Sequence, residues 1–409
     1  MLTNEKKIHF TELLDELGEN LDISETQFDA AVASYKAVGN WLCANDSLLK
    51  PYNPTIKPQG SMIIGTAVQP VHKTDDLDID LVCELSGKAP LWTQKDLKDI
   101  VGNQLEAHKK YESILDKEGR RCWTLKYREG SPNGDQYHMD ILPAIIRNGY
   151  QLVFEKAFSD TLSDNTENLS LSITDNKLPN YKTEKNSENW LKSNPFGYAK
   201  WFMERATIGT VKLFSLNEAV KPVPKYQKNK FPLQRVVQIL KRHRDIKFKG
   251  DPEKPISIII TTLAGYAYRK EANLMDALTN VIENMHLYIQ DKVDHMGRKY
   301  KFIGNPVNPE ENFADKWLET PAKQQKFFNW LAAVKHDLLY STSQPDMPKV
   351  VESLAKSFGE ETTKGAYLNM GKKRQILTEQ SKTRFDTKLG IVAGASNIIN
   401  PHKFYGTEE

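Results

Sequence analysis

The sequence predicts an α+β fold in which a small sheet lobe precedes a helical lobe. Three patterns point there. Apolar residues alternating with polar ones, the period of a strand, concentrate in the first 155 residues. After Trp190 the apolar spacing changes to threes and fours, the period of a helix. From about 159 to 188 the chain turns polar and rich in Asn, Ser, Thr and Asp, the composition of a connection over the surface. Strands and helices segregated in this way build two lobes rather than an alternating α/β sheet.

Composition sets the bounds. The chain has 409 residues, 39% hydrophobic and 27% charged, enough for a buried core and for two or three units. A net charge of +3 excludes a polycation that coats DNA or anionic lipid. There is no run of about eighteen apolar residues to span a membrane, and residues 1–20 lack the apolar stretch of a signal peptide. Three cysteines without CxxC spacing (Cys43, Cys83, Cys122) read as small core residues in a reducing compartment.

The elements follow in order. Phe28, Val32, Tyr35, Val38, Trp41 and Leu42 mark one face of a helix over 25–44, with Thr26 as its cap. Leu77 to Cys83 alternates apolar and acidic residues, a strand with carboxylates on one face. A helix is expected over 94–117, then strands over 122–127, 137–141 and 150–154. In the second lobe helices are expected over 195–215, 231–248, 255–289, 309–340 and 346–358. Pro255 to Thr262 would pass for a strand on propensity, but its length favours a buried helix. The last forty residues carry no clear pattern. These readings divide the chain into a core at 1–190 with its long N-terminal helix, a helical lobe at 191–360 that completes a pocket, and a tail at 361–409, packed or partly flexible. Residues 221–250 hold ten Lys and Arg against one Asp, a stripe that suits a polyphosphate or is a solvated helix face.

The most informative feature is Gln59-Gly60-Ser61, a Gly65-Thr66 pair, and then Asp75-Asp76-Leu77-Asp78-Ile79-Asp80. Carboxylates at i and i+2 on a strand point to the same side, about 6–7 Å apart. Asp140, in a second period-two strand, converges with Asp78 and Asp80 if the strands pair. Two such charges at 4 Å repel by about 4 kcal/mol at an effective dielectric near 20, so the group must protonate, splay or bind cations. All-oxygen donors select Mg²⁺ or Mn²⁺, and two such ions clamp the oxygens of an in-line phosphoryl displacement. The Gly60-Ser61 turn lets backbone and hydroxyl approach a phosphate. The competing reading of Asp75 to Asp80 is an acidic, solvated edge strand.

Gly60-Ser61, Asp78-Ile79-Asp80 and Asp140 together resemble the polymerase-β-like nucleotidyltransferase superfamily. Gln59 to Val82, with Gly65-Thr66, is similar to its cGAS/DncV-like branch, the bacterial CD-NTases. Asn194 to Tyr198, Leu233 to Asp245, Lys254 to Ser257 and Asn305 to Pro309 extend the resemblance to about 25–345. The resemblance implies a nucleotidyltransferase core in the first lobe, with the active site in the cleft between lobes. It implies two Mg²⁺ held by Asp78, Asp80 and Asp140, with Mn²⁺ able to substitute. Gln59, Gly60 and Ser61 would contact the donor triphosphate, and Lys241 and Ser257 would grip it, Lys241 having the surface lysine as its alternative. The implied reaction condenses NTPs into a cyclic di- or trinucleotide messenger for anti-phage (CBASS) signalling. A downstream effector reads the product, and the enzyme is a monomer of the bacterial cytoplasm with no stable nucleic acid and no membrane. Rival readings are a linear oligonucleotide synthase, a protein or tRNA nucleotidyltransferase, and a non-catalytic nucleotide-binding protein. His138, on the same strand face as Asp140, is either a partner behind the metal site or a hydrogen-bonded core histidine. Tyr198, Trp201, Phe202, Phe214, Tyr266 and Tyr268 either stack bases or fill the core.

Overall fold

The computed structural model describes residues 4–72, 76–131, 136–147, 170–208 and 226–380, with three short strands between 383 and 398. The expected strand at 150–154, Asp75 and Phe214 lie outside the described residues.

Two helices lead, α1 (Asn4–Asn20) and α2 (Glu25–Leu42). The sheet lobe follows with β1 (Thr55–Gln59), a one-turn helix α3 (Gly60–Ile63), β2 (Leu77–Leu85), α4 (Gln94–Glu106), α5 (Lys109–Ile114), β3 (Trp123–Tyr127), β4 (Tyr137–Ile146), β5 (Leu171–Ile173) and β6 (Leu191–Ser193). The sheet runs β1-β2-β4-β5-β6, with β3 also on β4. β2 and β4 are parallel and the other pairs antiparallel. β2 is therefore interior, which removes the edge-strand reading of its acids.

The sequence of β2 explains its position. Leu77, Ile79, Leu81, Cys83 and Leu85 enter a core that α2 and α4 cover with Tyr35, Val38, Leu97 and Val101. The opposite face carries Asp78 and Asp80, then Val82, which packs with Leu142 and Phe196, then Glu84, buried in an ion pair with Lys57. The face is thus polar at the strand's start and closed at its end. The cap of α2 is Ser24 rather than Thr26. Its hydroxyl accepts from the Gln27 N–H, and the Gln27 side chain accepts from the Ser24 N–H in return.

The helical lobe comprises α6 (Pro195–Ala206), α7 (Pro232–Phe248), α8 (Ser257–Ala267), α9 (Leu274–Asn284), strands β7 (Gln290–Val293), β8 (Lys299–Phe302), β9 (Gly304–Asn305) and β10 (Asn308–Asn312), and then α10 (Asp315–Glu319), α11 (Pro321–Ser343), α12 (Met347–Phe358) and α13 (Glu360–Glu379). Several expectations are corrected. The helix expected over 94–117 is two helices. The one over 255–289 breaks after Ala267, where Lys270 takes a positive φ of 65° and Asn273 caps α9. The one over 309–340 begins as a strand, because the Asn312 side chain accepts from the Ile303 and Ala314 N–H groups and pins the chain extended. The polar connection holds a strand, Leu171–Ile173. The unpatterned end contains α13, which packs on α1 and α12. One core is expected over 1–190, yet Phe10, Leu13, Leu14, Leu17 and Leu21 are buried in the helical lobe's core beside Val236, Leu240 and Leu278.

Candidate active site

A cleft of about 1020 Å³ lies between the lobes, and Asp78, Asp80 and Asp140 all line it. The strands dictate this. Asp80 and Asp140 are register partners across the parallel β2–β4 pair, whose chains lie about 4.8 Å apart. Asp78 is two residues along on the same face, opposite His138. On the far edge of β4, Thr124 is the partner of Asp140 and its hydroxyl donates to Asp140 Oδ1 at 2.6 Å.

The electrostatics are those of crowded acids. Burial, then Asp78 and Asp140, push the Asp80 carboxyl from 3.8 to about 7. Asp78 keeps a solvent-exposed edge towards the cleft, but the protein around it and Asp140 still raise its carboxyl. His138, Lys254 and Lys241 act in the opposite sense on Asp78. Among the described residues no group of three or more His, Cys, Asp or Glu side chains is arranged ready to enclose a metal ion. The donor set still fits a divalent cation: hard carboxylate oxygens, sharing a wall, whose ionised forms repel.

Gly60 is tied to that wall. Its φ of 64° suits glycine, and a Cβ there would stand 2.1 Å from Asp80 Oδ2. It opens α3, so Ser61 faces the cleft beside the acids. Gln59 ends β1 as the register partner of Asp80, and its Nε2 donates to the Leu81 carbonyl at 3.4 Å.

The opposite wall is basic and comes from the helical lobe. Lys241 is buried, not a surface lysine. Its Nζ donates to the Thr66 carbonyl at 3.1 Å and lies 3.4 Å from Thr66 Oγ1, and burial with Arg244 nearby pushes it down to about 8. Ser257 opens α8, and its hydroxyl accepts from Arg244 Nη1 at 2.8 Å. Arg244 is also clamped by Asp245, which pairs with Lys254 at 3.1 Å. Arg244, Lys249 and Lys254 line the cleft too. The sequence alone does not choose between Lys241 and its neighbours Arg242 and Arg244, because the run Lys241-Arg242-His243-Arg244 offers several cations and only folding selects among them. His243 turns away to Asp337 at 3.1 Å.

One face of α7 joins the lobes. Gln234 donates to the Ile64 carbonyl, Gln238 to Ala67, Lys241 to Thr66 and Arg242 to Gln69. His138 lines the cleft and contacts Asp76 at 2.9 Å, so it is polar-paired at the site rather than sealed in the core. Phe202 and Tyr268 are core residues, and Trp201 packs on Tyr266. Among the described aromatic side chains Tyr198 and Phe313 line the cleft, with ring centroids 6.1 Å apart. Asn305 opens one of the stretches that carry the resemblance, whereas no pattern in the sequence marks Glu311 or Phe313.

Comparison with known proteins agrees with this geometry. Residues 54–143 match the family described as "Cyclic GMP-AMP synthase DncV-like, nucleotidyltransferase domain". The chain is 28% identical over 334 residues to a c-di-GMP synthase of Roseivirga ehrenbergii, covering 81% of this chain and 79% of the relative. The fold is similar to that of the Bradyrhizobium diazoefficiens CD-NTase CdnG in complex with GTP, with a TM-score of 0.63 at 20% identity over 88% of this chain and 99% of that one. It is also similar to Escherichia coli MS115-1 CdnC with ATP, with a TM-score of 0.54 at 15% identity over 85% and 96%. Residues 54–143 of the sheet lobe thus match the DncV-like nucleotidyltransferase class, and the fold is similar to that of the CD-NTase structures. Along 81–88% of its length the chain is similar to bacterial cyclic dinucleotide synthases and CD-NTases.

Proposed function

We propose that this chain condenses NTPs into a cyclic di- or trinucleotide, releasing pyrophosphate. The observation that carries the reading is the register of Asp80 with Asp140, with Asp78 on the same face, across a cleft from Lys241, Arg244 and Lys254. Acids on one wall and cations on the other suit a triphosphate bound through divalent ions. The names of the relatives, a c-di-GMP synthase and a cyclic dinucleotide synthase, support the same reading.

In this reading Asp78, Asp80 and Asp140 would hold two Mg²⁺, with Mn²⁺ able to substitute. Bound there, the ions supply charge neutralisation at the α-phosphate and a lowered pKa for the acceptor hydroxyl. The chain's own groups bind and orient. Gln59, Gly60 and Ser61 set the turn that receives the donor triphosphate. Lys241, held by Thr66, and Arg244, held by Asp245, present fixed positive charge to it, and Ser257 adds a hydroxyl. The acceptor 2′- or 3′-hydroxyl displaces pyrophosphate in line, the linear product turns over, and a second displacement closes the ring. No protein nucleophile is required.

The product serves as a messenger for a separate effector in anti-phage defence, and the enzyme works as a monomer in the bacterial cytoplasm. No helix among the described residues is long and apolar enough to cross a membrane. The test is incubation with all four NTPs and Mg²⁺ or Mn²⁺, then mass spectrometry after phosphatase treatment. A phosphatase-resistant cyclic product is expected. A phosphatase-sensitive oligomer would make the chain a linear synthase, and no consumption of any NTP would sink the enzymatic reading. For the defence role, cells carrying the Asp80→Ala chain should lose whatever phage protection the wild-type chain confers.

A further inference from the structure

The cleft contains an acid that the phosphate chemistry does not use. Glu311 lines it from β10, together with Asn305, Phe313 and Tyr198. Its charged neighbours are Arg121 and Asp315, whereas those of Asp78 are Asp140, His138, Lys254 and Lys241, so the two acids occupy different neighbourhoods of one cavity. The position of Glu311 is fixed. Buried Asn305 accepts from the Val307 N–H at 3.0 Å and donates its amide to Glu311 Oε2 at 2.7 Å, which orients both side chains. Phe313, two residues on, packs edge-on to Tyr198, and both rings line the same cleft as Glu311.

We infer that Glu311 reads the Watson–Crick edge of a guanine base, with the Tyr198–Phe313 pair forming the apolar side of that subsite. The inference rests on the NTP-condensing reading above. A carboxylate accepts hydrogen bonds and offers about four lone-pair sites, so the bonds from the Asn305 and Asn308 side chains leave capacity for a ligand. Guanine presents two adjacent donors, N1–H and the 2-amino group, which match the two carboxylate oxygens. Adenine and cytosine place a lone pair at the corresponding ring nitrogen, against the acid. Uracil and hypoxanthine offer a single ring N–H. A site built to accept from an N–H rejects a base that lacks it, because the buried acceptor is left unpaired. Burial raises the Glu311 carboxyl from its ordinary range while the Asn305 amide and Arg121 lower it, so two donors from a base further favour the ionised form.

Calorimetric binding of GTP, inosine triphosphate and ATP to the wild-type chain tests this without a variant, since inosine triphosphate differs from GTP only in lacking the 2-amino group. GTP should bind about tenfold more tightly than inosine triphosphate, the worth of one hydrogen bond to a charged group, and more tightly again than ATP. Glu311→Gln should weaken GTP by about 10- to 100-fold and shrink its margin over inosine triphosphate to about threefold or less, with ATP changed little. Equal binding of GTP and inosine triphosphate by the wild-type chain overturns the inference, as does a Glu311→Gln chain that keeps the margin. Pyrophosphate release, measured in parallel, separates the two readings. A guanine preference that depends on Glu311, in a chain that turns over no NTP, would keep the inference and sink the enzymatic reading. Turnover without such a preference would do the reverse.

Discussion

The two walls of the cleft are built by different means. The acidic wall is made by backbone register: Asp80 faces Asp140 because β2 and β4 pair, and no side-chain contact is needed to bring them together. The basic wall is made by side-chain contacts: Lys241 is held by Thr66, Arg244 by Asp245 and Ser257, Lys254 by Asp245. Register places short side chains on a rigid frame. Contacts place long ones, which carry about 2 kcal/mol of rotamer entropy each until something holds them. The acids therefore stand on strands here, and Lys241 and Arg244 stand on a helix, with Lys254 in the loop that follows it.

If the comparison is right, the acidic wall should fail outright when altered and the basic wall by degrees. The largest effect is expected for Asp80→Ala, which should lower NTP turnover by about a thousandfold or more, in the range of losses for a group acting on transition-state charge. Its thermal unfolding should stay at or above the wild-type midpoint, because a crowded acid is gone. A variant that kept wild-type pyrophosphate release would contradict the assignment of this wall. Gly60→Ala comes next. With φ at 64° and a Cβ 2.1 Å from Asp80 Oδ2, the turn or the acid must move. Turnover should fall about 100-fold, in line with an ångström-scale misplacement, and stability by about 1–2 kcal/mol, readable from a denaturant midpoint. Unchanged kinetics would show that the turn and the acid are not coupled.

Lys241→Gln should be milder, raising the NTP KM about tenfold with a smaller change in kcat, the value of one charge-assisted contact. Because burial holds Lys241 down at about 8, the wild-type KM should also begin to rise above that pH, and the variant's should not. Ser257→Ala should change KM least, about threefold, since Arg244 remains clamped by Asp245.

The acidic wall also carries a pH signature. The Asp80 carboxyl sits at about 7 in the folded chain against 3.8 unperturbed, so between those values the folded state holds a proton the unfolded chain lacks. By linkage, the metal-free chain loses stability as pH rises across that window. Thermal midpoints in chelator at pH 5 and pH 8 should fall for the wild-type chain and fall less for Asp80→Asn, while added Mg²⁺ should restore the wild type at pH 8. Parallel curves for the two proteins would refute the placement of this charge.

The same contrast explains what could be read from the sequence. Asp78 and Asp80 were legible because the period of two is local and visible in the five residues Leu77 to Leu81. The pairing with Asp140 needed only the assumption that two strands were neighbours. Arg244 was not legible, because its role depends on Asp245 beside it and Ser257 thirteen residues on, and nothing in a run of cations marks which will be held. Glu311 was hidden in a stretch with helical spacing, and only the Asn312 bonds that keep it extended turn its neighbour towards the cleft. The placement of α1 failed for a related reason: its Leu13, Leu14 and Leu17 mark an apolar face but not which lobe will receive it.

The seam along α7 has one more implication. Its amide and ammonium groups grip the peptide oxygens of 64–69, and every amino acid supplies that oxygen, proline included. Such a grip depends on the strap's path more than on its spelling, except at Gly65, where φ is 67° and a Cβ would crowd the Gln234 amide. Relatives can therefore drift at a half-buried strap residue such as Gln69 while the glutamines on α7 stay put, and a chimera joining this sheet lobe to a foreign helical lobe should dock wherever those glutamines recur at the same spacing.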